Sequence, residues 1–194
     1  MVGEMGSGHE TEVKIRLSSA AGMAGRLTGA GLKLSVPRQF ESNTLYDTAS
    51  QDLRNQGMIL RLREVGGKNI VTWKGPGTPG RHKSRAELET KVESIETLGQ
   101  ILGHVGYIPS FRYEKFRTEF SDPANPAGTV TLDETPIGDF LELEGPGDWI
   151  DQTAKQLGFS EGDYVLESYG RLYLADCERR GLQPGNMVFA SHAI

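Results

Sequence analysis

His9-Glu-Thr-Glu-Val-Lys-Ile-Arg-Leu17 reads as a short strand, and the character of its two faces decides how the rest of the chain is understood. Successive side chains of a strand point to opposite sides, so Thr11, Val13, Ile15 and Leu17 share one face while Glu10, Glu12, Lys14 and Arg16 share the other. Two carboxylates followed by a cation on one pleated face offer hard oxygen ligands for Mg²⁺ or Mn²⁺ and a point charge for a phosphate beside them. An ordinary solvent-facing strand alternates in the same way, because charged residues are mostly exposed. The remaining strands separate these two readings.

Met58-Ile-Leu-Arg-Leu-Arg-Glu64, the turn Gly66-Gly67 and Asn69-Ile-Val-Thr-Trp-Lys74 form a hairpin signal. Further extended segments are expected at 38–48, 82–92, 111–120, 128–134 and 139–144. Helices are expected from an N-cap at Ser18 to about Gly29, then at 94–104, 148–157 and 163–179. Sorted by face, Arg61 and Arg63 oppose Leu60 and Leu62, and Thr72 and Lys74 oppose Val71 and Trp73. Lys83, Arg85, Glu87, Glu89 and Lys91 oppose Ser84, Ala86, Leu88 and Thr90. Lys115, Arg117 and Glu119 oppose Phe116 and Phe120, Asp133 opposes Leu132, and Glu142 and Glu144 oppose Leu141 and Leu143.

Nearly every strand thus carries one apolar and one ionic face. Either an open sheet turns its charged face to solvent, or a closed barrel turns it inward to a polar lumen with helices over the apolar outside. Residue identity favours the lumen. Arginine recurs in closely spaced basic pairs, as suits planar, multidentate phosphate contacts. The acid pairs Glu10/Glu12, Glu87/Glu89 and Glu142/Glu144 would repel one another unless metal or phosphate-bound cations neutralised them.

Composition narrows the function classes. The chain has 194 residues and a formal net charge of −5, which suits one soluble domain and disfavours general nucleic-acid binding. Its one cysteine, Cys177, rules out an intramolecular disulfide framework and points to a reduced, cytoplasmic setting, with the thiol read as an ordinary packed group. No apolar run reaches membrane-spanning length, and the start lacks the basic and apolar regions of a signal peptide. Residues 1–8 and 181–194 read as flexible tails around a domain at 9–180. His9, His82, His104 and His192 lack zinc spacing, and Gly75-Pro-Gly-Thr-Pro-Gly80 lacks the Gly-Lys-Ser/Thr ending of a P-loop.

The ordered set of motifs resembles the CYTH superfamily, the triphosphate tunnel metalloenzymes, which includes class IV adenylate cyclases, thiamine triphosphatases and inorganic triphosphatases. The residues that carry the resemblance are Glu10-Thr-Glu12-Val-Lys14, Tyr46-Asp47-Thr48, Leu60-Arg61-Leu-Arg63, Thr72-Trp-Lys74-Gly-Pro76 and Arg85-Ala-Glu87-Leu-Glu89. Glu114-Lys115-Phe-Arg117, Leu132-Asp133, Gly138-Asp-Phe140-Leu-Glu142-Leu-Glu144 and Ser168-Tyr169 complete it.

The resemblance implies an α+β, mainly antiparallel fold: a closed eight-stranded tunnel-like barrel with helices packed outside and a C-terminal helix. It implies a metal set of Glu10, Glu12, Glu142 and Glu144, with Glu87 and Glu89 serving either a second metal or ion pairs. Lys14, Arg61, Arg63, Lys74, Arg85, Lys115 and Arg117 would grip phosphates, and the residues closest to the chemistry would be Glu10, Glu12, Lys14, Lys74 and Asp133. The implied activity is Mg²⁺- or Mn²⁺-dependent hydrolysis of inorganic triphosphate, thiamine triphosphate or a nucleoside triphosphate. Two alternatives stay open: a class IV adenylate cyclase making cyclic AMP and pyrophosphate, and a polyphosphate-binding module without turnover. The expected partner is a small-molecule triphosphate, with neither nucleic acid nor membrane, and the expected state a monomer or homodimer. Tyr164, Tyr169 and Tyr173 read as core, with Tyr169 or Arg171 within reach of the tunnel.

Overall fold

The computed structural model describes residues 6–78 and 80–190. The expected leader therefore lies partly outside the described residues, as do Pro79, His192 and the last part of the expected C-terminal tail. The elements run β1 (Gly6–Leu17), α1 (Met23–Gly29), β2 (Lys33–Asp47), α2 (Asp52–Asn55), β3 (Ile59–Val65), β4 (Lys68–Lys74) and β5 (Lys83–Val92). They continue α3 (Ile95–His104), β6 (Ile108–Asp122), β7 (Asn125–Thr135), β8 (Gly138–Glu144), α4 (Gly147–Gln156), β9 (Tyr164–Val165) and α5 (Tyr169–Arg180).

The strand order β5-β4-β3-β2-β6-β7-β8-β1 is closed by pairing of β1 with β5, giving an eight-stranded antiparallel barrel. Closure removes the sheet edges that would otherwise seek partners. One side of β1 pairs β8 over Glu12–Leu17, while the other pairs β5 up to Glu12 and then β9 at Lys14 and Ile15.

The apolar faces point outward. Val13, Ile15 and Leu17 of β1 join Phe120, Val130, Leu132, Leu141 and Leu143 from β6, β7 and β8, and α1 and α4 lay Met23, Leu27, Trp149, Ile150 and Leu157 over them. The main core therefore lies between the barrel and its helices. Gly128 makes this packing possible: a Cβ there would stand 2.3 Å from the Trp149 ring. The Trp149 indole N–H donates to Asp122 at 2.7 Å, satisfying its polar edge.

Four local expectations are corrected. Ser18 does not cap α1, which begins at Met23 after Gly22 in a left-handed turn at φ 76°, and the preceding loop is fastened by the Ala20 N–H donating to Asp139. Strand β2 starts at Lys33 rather than 38, because register shifts around Val36 and Gln39 accommodate Pro37, which cannot donate to a ladder. The expected helix at 163–179 is a 3₁₀ turn at Glu161–Asp163, then β9, then α5. Ser168 caps α5 through the Arg171 N–H, and Gly181 at φ 66° ends it.

The fourth correction concerns the C-terminal segment, which is a docked strap as far as it is described. Met187 forms a parallel bridge with Tyr113, its N–H donating to Arg112 O at 3.0 Å and its carbonyl accepting from the Glu114 N–H at 2.9 Å. It covers a stretch of β6 that β7, paired only from Phe116 onward, leaves open. The short helix α2 was not anticipated either. Asp47 accepts from the N–H groups of Leu53 and Arg54 at its start, so the Tyr46-Asp47-Thr48 motif serves the scaffold.

Candidate active site

The inward faces place most of their ionic residues in one central cavity of about 410 Å³, which Lys91, Glu119 and Asp133 do not line. Register explains the convergence. Glu12 lies opposite Glu144 and Lys14 opposite Glu142 across β1 and β8; Glu10 lies opposite Arg85 across β1 and β5; Lys74 lies opposite Glu87 across β4 and β5. Paired residues share a face, so every one of these side chains enters the lumen. The structure brings together Glu10, Glu12, Lys14, Arg61, Arg63, Lys74, Arg85, Glu87, Glu89, Lys115, Arg117, Glu142 and Glu144, with Lys83 among them. Arg16 leaves the set at its end, stacking over the Phe140 ring at 4.5 Å and donating to Ile137 O.

The carboxylates and cations interlock around the wall. Glu10 is held by Lys74 and Arg85, and Glu12 by Lys14 at 3.1 Å and Lys83 at 2.9 Å. Lys14 bridges Glu12 to Glu142, also at 3.1 Å, and Glu142 meets Arg117 at 3.0 Å. Asp133, fully buried, accepts from Lys115 at 2.9 Å, from two Arg117 nitrogens at 2.7 and 2.6 Å and from the Tyr169 hydroxyl at 2.7 Å. Its oxygens are committed to these partners behind the cavity wall, and it fastens the basic residues in place.

The electrostatics are uneven. Burial pushes Glu10 up, but its hydrogen bond with Glu87 and the charges of Lys74 and Arg85 win and hold it below the usual carboxylate range. Glu142 is also buried, yet Lys14 and Arg117 hold it well below that range. Glu87 is pushed up to about 7 by burial and by its hydrogen bond with Glu10. Glu144, at the rim, is also raised to about 7, by burial among the lumen side chains and by repulsion from Glu142 and Glu10.

Eight basic side chains line the cavity against six glutamates, and two further acids, Glu41 and Asp133, sit behind the basic wall. The lumen is therefore close to charge balance before anything enters it. Hard carboxylate oxygens on adjacent strands, with Glu87 and Glu144 already crowded by negative charge, fit a divalent cation in donor chemistry. Among the described residues, no three acidic, histidine or cysteine side chains already stand in metal-holding geometry. The Lys14 ammonium occupies the place between Glu12 and Glu142, so a cation bound there competes with it.

Sequence reasoning missed Glu41, Asn43 and Tyr113, and it named the cavity-lining Lys83 only as a face residue. Glu41 and Asn43 alternate toward the lumen on β2, but no cation sits on that strand's inner face to mark them. Tyr113 donates no local signal either, and its hydroxyl meets Arg61 at 3.4 Å. Tyr169 does reach the tunnel, whereas Arg171 is exposed.

A closed barrel with an interlocked ionic lumen defines a charged-tunnel protein, and the chain belongs to the CYTH domain family, whose model matches residues 8–169. A protein of Methanocaldococcus jannaschii, provisionally named an adenylate cyclase, is 27% identical over 168 residues, covering 82% of this chain and 95% of that protein. The PH1819 protein of Pyrococcus horikoshii matches in structure with a TM-score of 0.72 at 21% identity, over 86% of this chain and 99% of that one. A Hippeastrum protein, provisionally an adenylyl cyclase and described as having a dominant triphosphatase activity, matches with a TM-score of 0.60 at 17% identity, over 90% and 97% of the two chains. No helix among the described residues is long and apolar enough to cross a membrane.

Proposed function

We propose that the chain is a divalent-metal-dependent triphosphatase that hydrolyses inorganic triphosphate, thiamine triphosphate or a nucleoside triphosphate inside the barrel. The observation that carries this reading is the charge pattern of the lumen. Eight cations are gathered around a cavity of about 410 Å³, yet acids balance them, so a polyanion brings charge that only added cations offset. Glu10, Glu12, Glu142 and Glu144 would hold Mg²⁺ or Mn²⁺, which when bound polarises phosphate oxygens and orients the attacking water. Glu89, 3.7 Å from Arg61, is assigned to an ion pair, and Glu87 stays with Lys74 and Glu10.

Arg61, Arg63, Lys115 and Arg117 would grip the phosphate chain from one wall, and Lys14, Lys74 and Arg85 from the other. Asp133 acts through Lys115 and Arg117, keeping their charges aimed before substrate arrives. Such preorganised charge is what phosphoryl transfer chiefly needs, since its transition state spreads charge over the phosphoryl oxygens. The activity described for the Hippeastrum protein supports this reading.

The name of the Methanocaldococcus relative favours a second one, cyclisation of ATP with release of pyrophosphate. Incubation with inorganic triphosphate, thiamine triphosphate and ATP, each with Mg²⁺ or Mn²⁺, separates them by product. Orthophosphate supports hydrolysis, cyclic AMP plus pyrophosphate replaces it with the cyclase, and binding without turnover refutes both.

A further inference from the structure

Two buried acids contact the basic side chains without lining the cavity, and they hold them differently. Asp133 is hydrogen-bonded to its cations at 2.6 to 2.9 Å. Glu41, 2% exposed and outside the cavity lining, meets Arg63 and Lys115 at 3.6 Å and Arg117 at 4.0 Å, all longer than a hydrogen bond. Among the described residues its Oε2 has no hydrogen-bond partner, nor has Nδ2 of the neighbouring, fully buried Asn43, whose Oδ1 accepts from Arg63 at 2.9 Å. A buried carboxylate oxygen left without a hydrogen bond normally costs stability, so its retention between three cations asks for a purpose.

We propose that Glu41 is a built-in counter-ion that sets the lumen's affinity for phosphate, drawing Arg63, Lys115 and Arg117 back from the cavity until an anion competes for them. The inference rests on the triphosphate reading of the lumen. The geometry supplies the competition, because Glu41 shares the inner face with these side chains and meets all three without itself lining the cavity that they line. Long, unsaturated contacts are readily exchanged for the short charge-assisted bonds that phosphate oxygens form. Asp133, with every contact short, stays fixed and keeps the cations from collapsing onto the ligand. Glu41 is thus a positioning residue that trades binding strength for release of product.

The sign of the effect distinguishes this from a structural role. Calorimetric titration with inorganic triphosphate in chelator, where no metal-dependent turnover intervenes, should show Glu41→Gln binding about tenfold tighter than the unaltered chain, the scale of one partly screened charge pair. Glu41→Asp, which keeps the charge, should restore the weaker binding. With Mg²⁺ present, Glu41→Gln should lower KM and kcat together. Equal or weaker binding by Glu41→Gln, or tightening by Glu41→Asp as well, would overturn the inference. The triphosphate reading fails separately if none of inorganic triphosphate, thiamine triphosphate and ATP binds the unaltered chain in the presence of Mg²⁺.

Discussion

The wall built by β8, β1 and β5 and the wall built by β3, β2 and β6 carry the same residue types in opposite proportion. The first presents Glu142, Glu144, Glu10, Glu12, Glu87 and Glu89 against Lys14, Lys83 and Arg85. The second presents Arg61, Arg63, Lys115 and Arg117, with Glu41 as the acid behind them on β2. Two carboxylates of the first wall, Glu87 and Glu144, are pushed up to about 7 by burial and by the carboxylates beside them. Arg63, Lys115 and Arg117 of the second meet Glu41, which does not line the cavity. One wall is short of cations and the other of anions. A metal and a phosphate chain satisfy both at once.

Changes to either wall test this division. The largest effect is expected on the acidic side: Glu12→Gln should lower metal-dependent kcat on the order of 10³-fold, as loss of a preorganised electrostatic group does. Phosphate release that survives this change would remove Glu12 from the site. Next, Asp133→Asn should cost about 3 kcal/mol of stability in denaturant unfolding, because it removes the buried carboxylate that both Lys115 and Arg117 hydrogen-bond and leaves Lys115 only the longer contact with Glu41. On the basic side, Arg61→Ala should act mainly on KM, raising it about thirtyfold through loss of a charged hydrogen bond worth about 2 kcal/mol. A fall in kcat alone would place Arg61 elsewhere in the reaction.

The smallest effect concerns pH. Glu87 and Glu144 are raised to about 7 in the folded chain from an ordinary 4.5, so folding favours their protonated forms. Stability in chelator should therefore fall as pH rises from about 5 to about 7, while Glu10, Glu41 and Asp133, all held low, do not titrate there. Thermal melts check the sign, Glu144→Gln should flatten the slope, and Mg²⁺ should raise the melting temperature more at about pH 8 than at about pH 6.

Much of this arrangement was legible in the sequence. Alternation along β1, β3 to β5 and β8 is unbroken by proline, and all but β4 carry paired charges, so both the strands and their inward faces could be read. The Gly66-Gly67 turn fixed the β3–β4 register. What escaped were features set by tertiary contact. Glu41 and Asn43 acquire meaning only because β6 places Lys115 and Tyr113 opposite them. The strap around Met187 has no periodicity, and it is held because β6 outruns β7 and leaves an edge for it to cover. Ser18 has the chemistry of a cap, but Gly22 and Asp139 direct the chain past it.

The central claim is that water attacks the terminal phosphorus of a triphosphate held between these two walls. Turnover of ATP and of inorganic triphosphate with Mg²⁺ in ¹⁸O-labelled water, followed by mass analysis of the products, tests it most directly. The account predicts one labelled oxygen in the released orthophosphate, with that release lost in Glu12→Gln. Unlabelled pyrophosphate appearing together with cyclic AMP would contradict it.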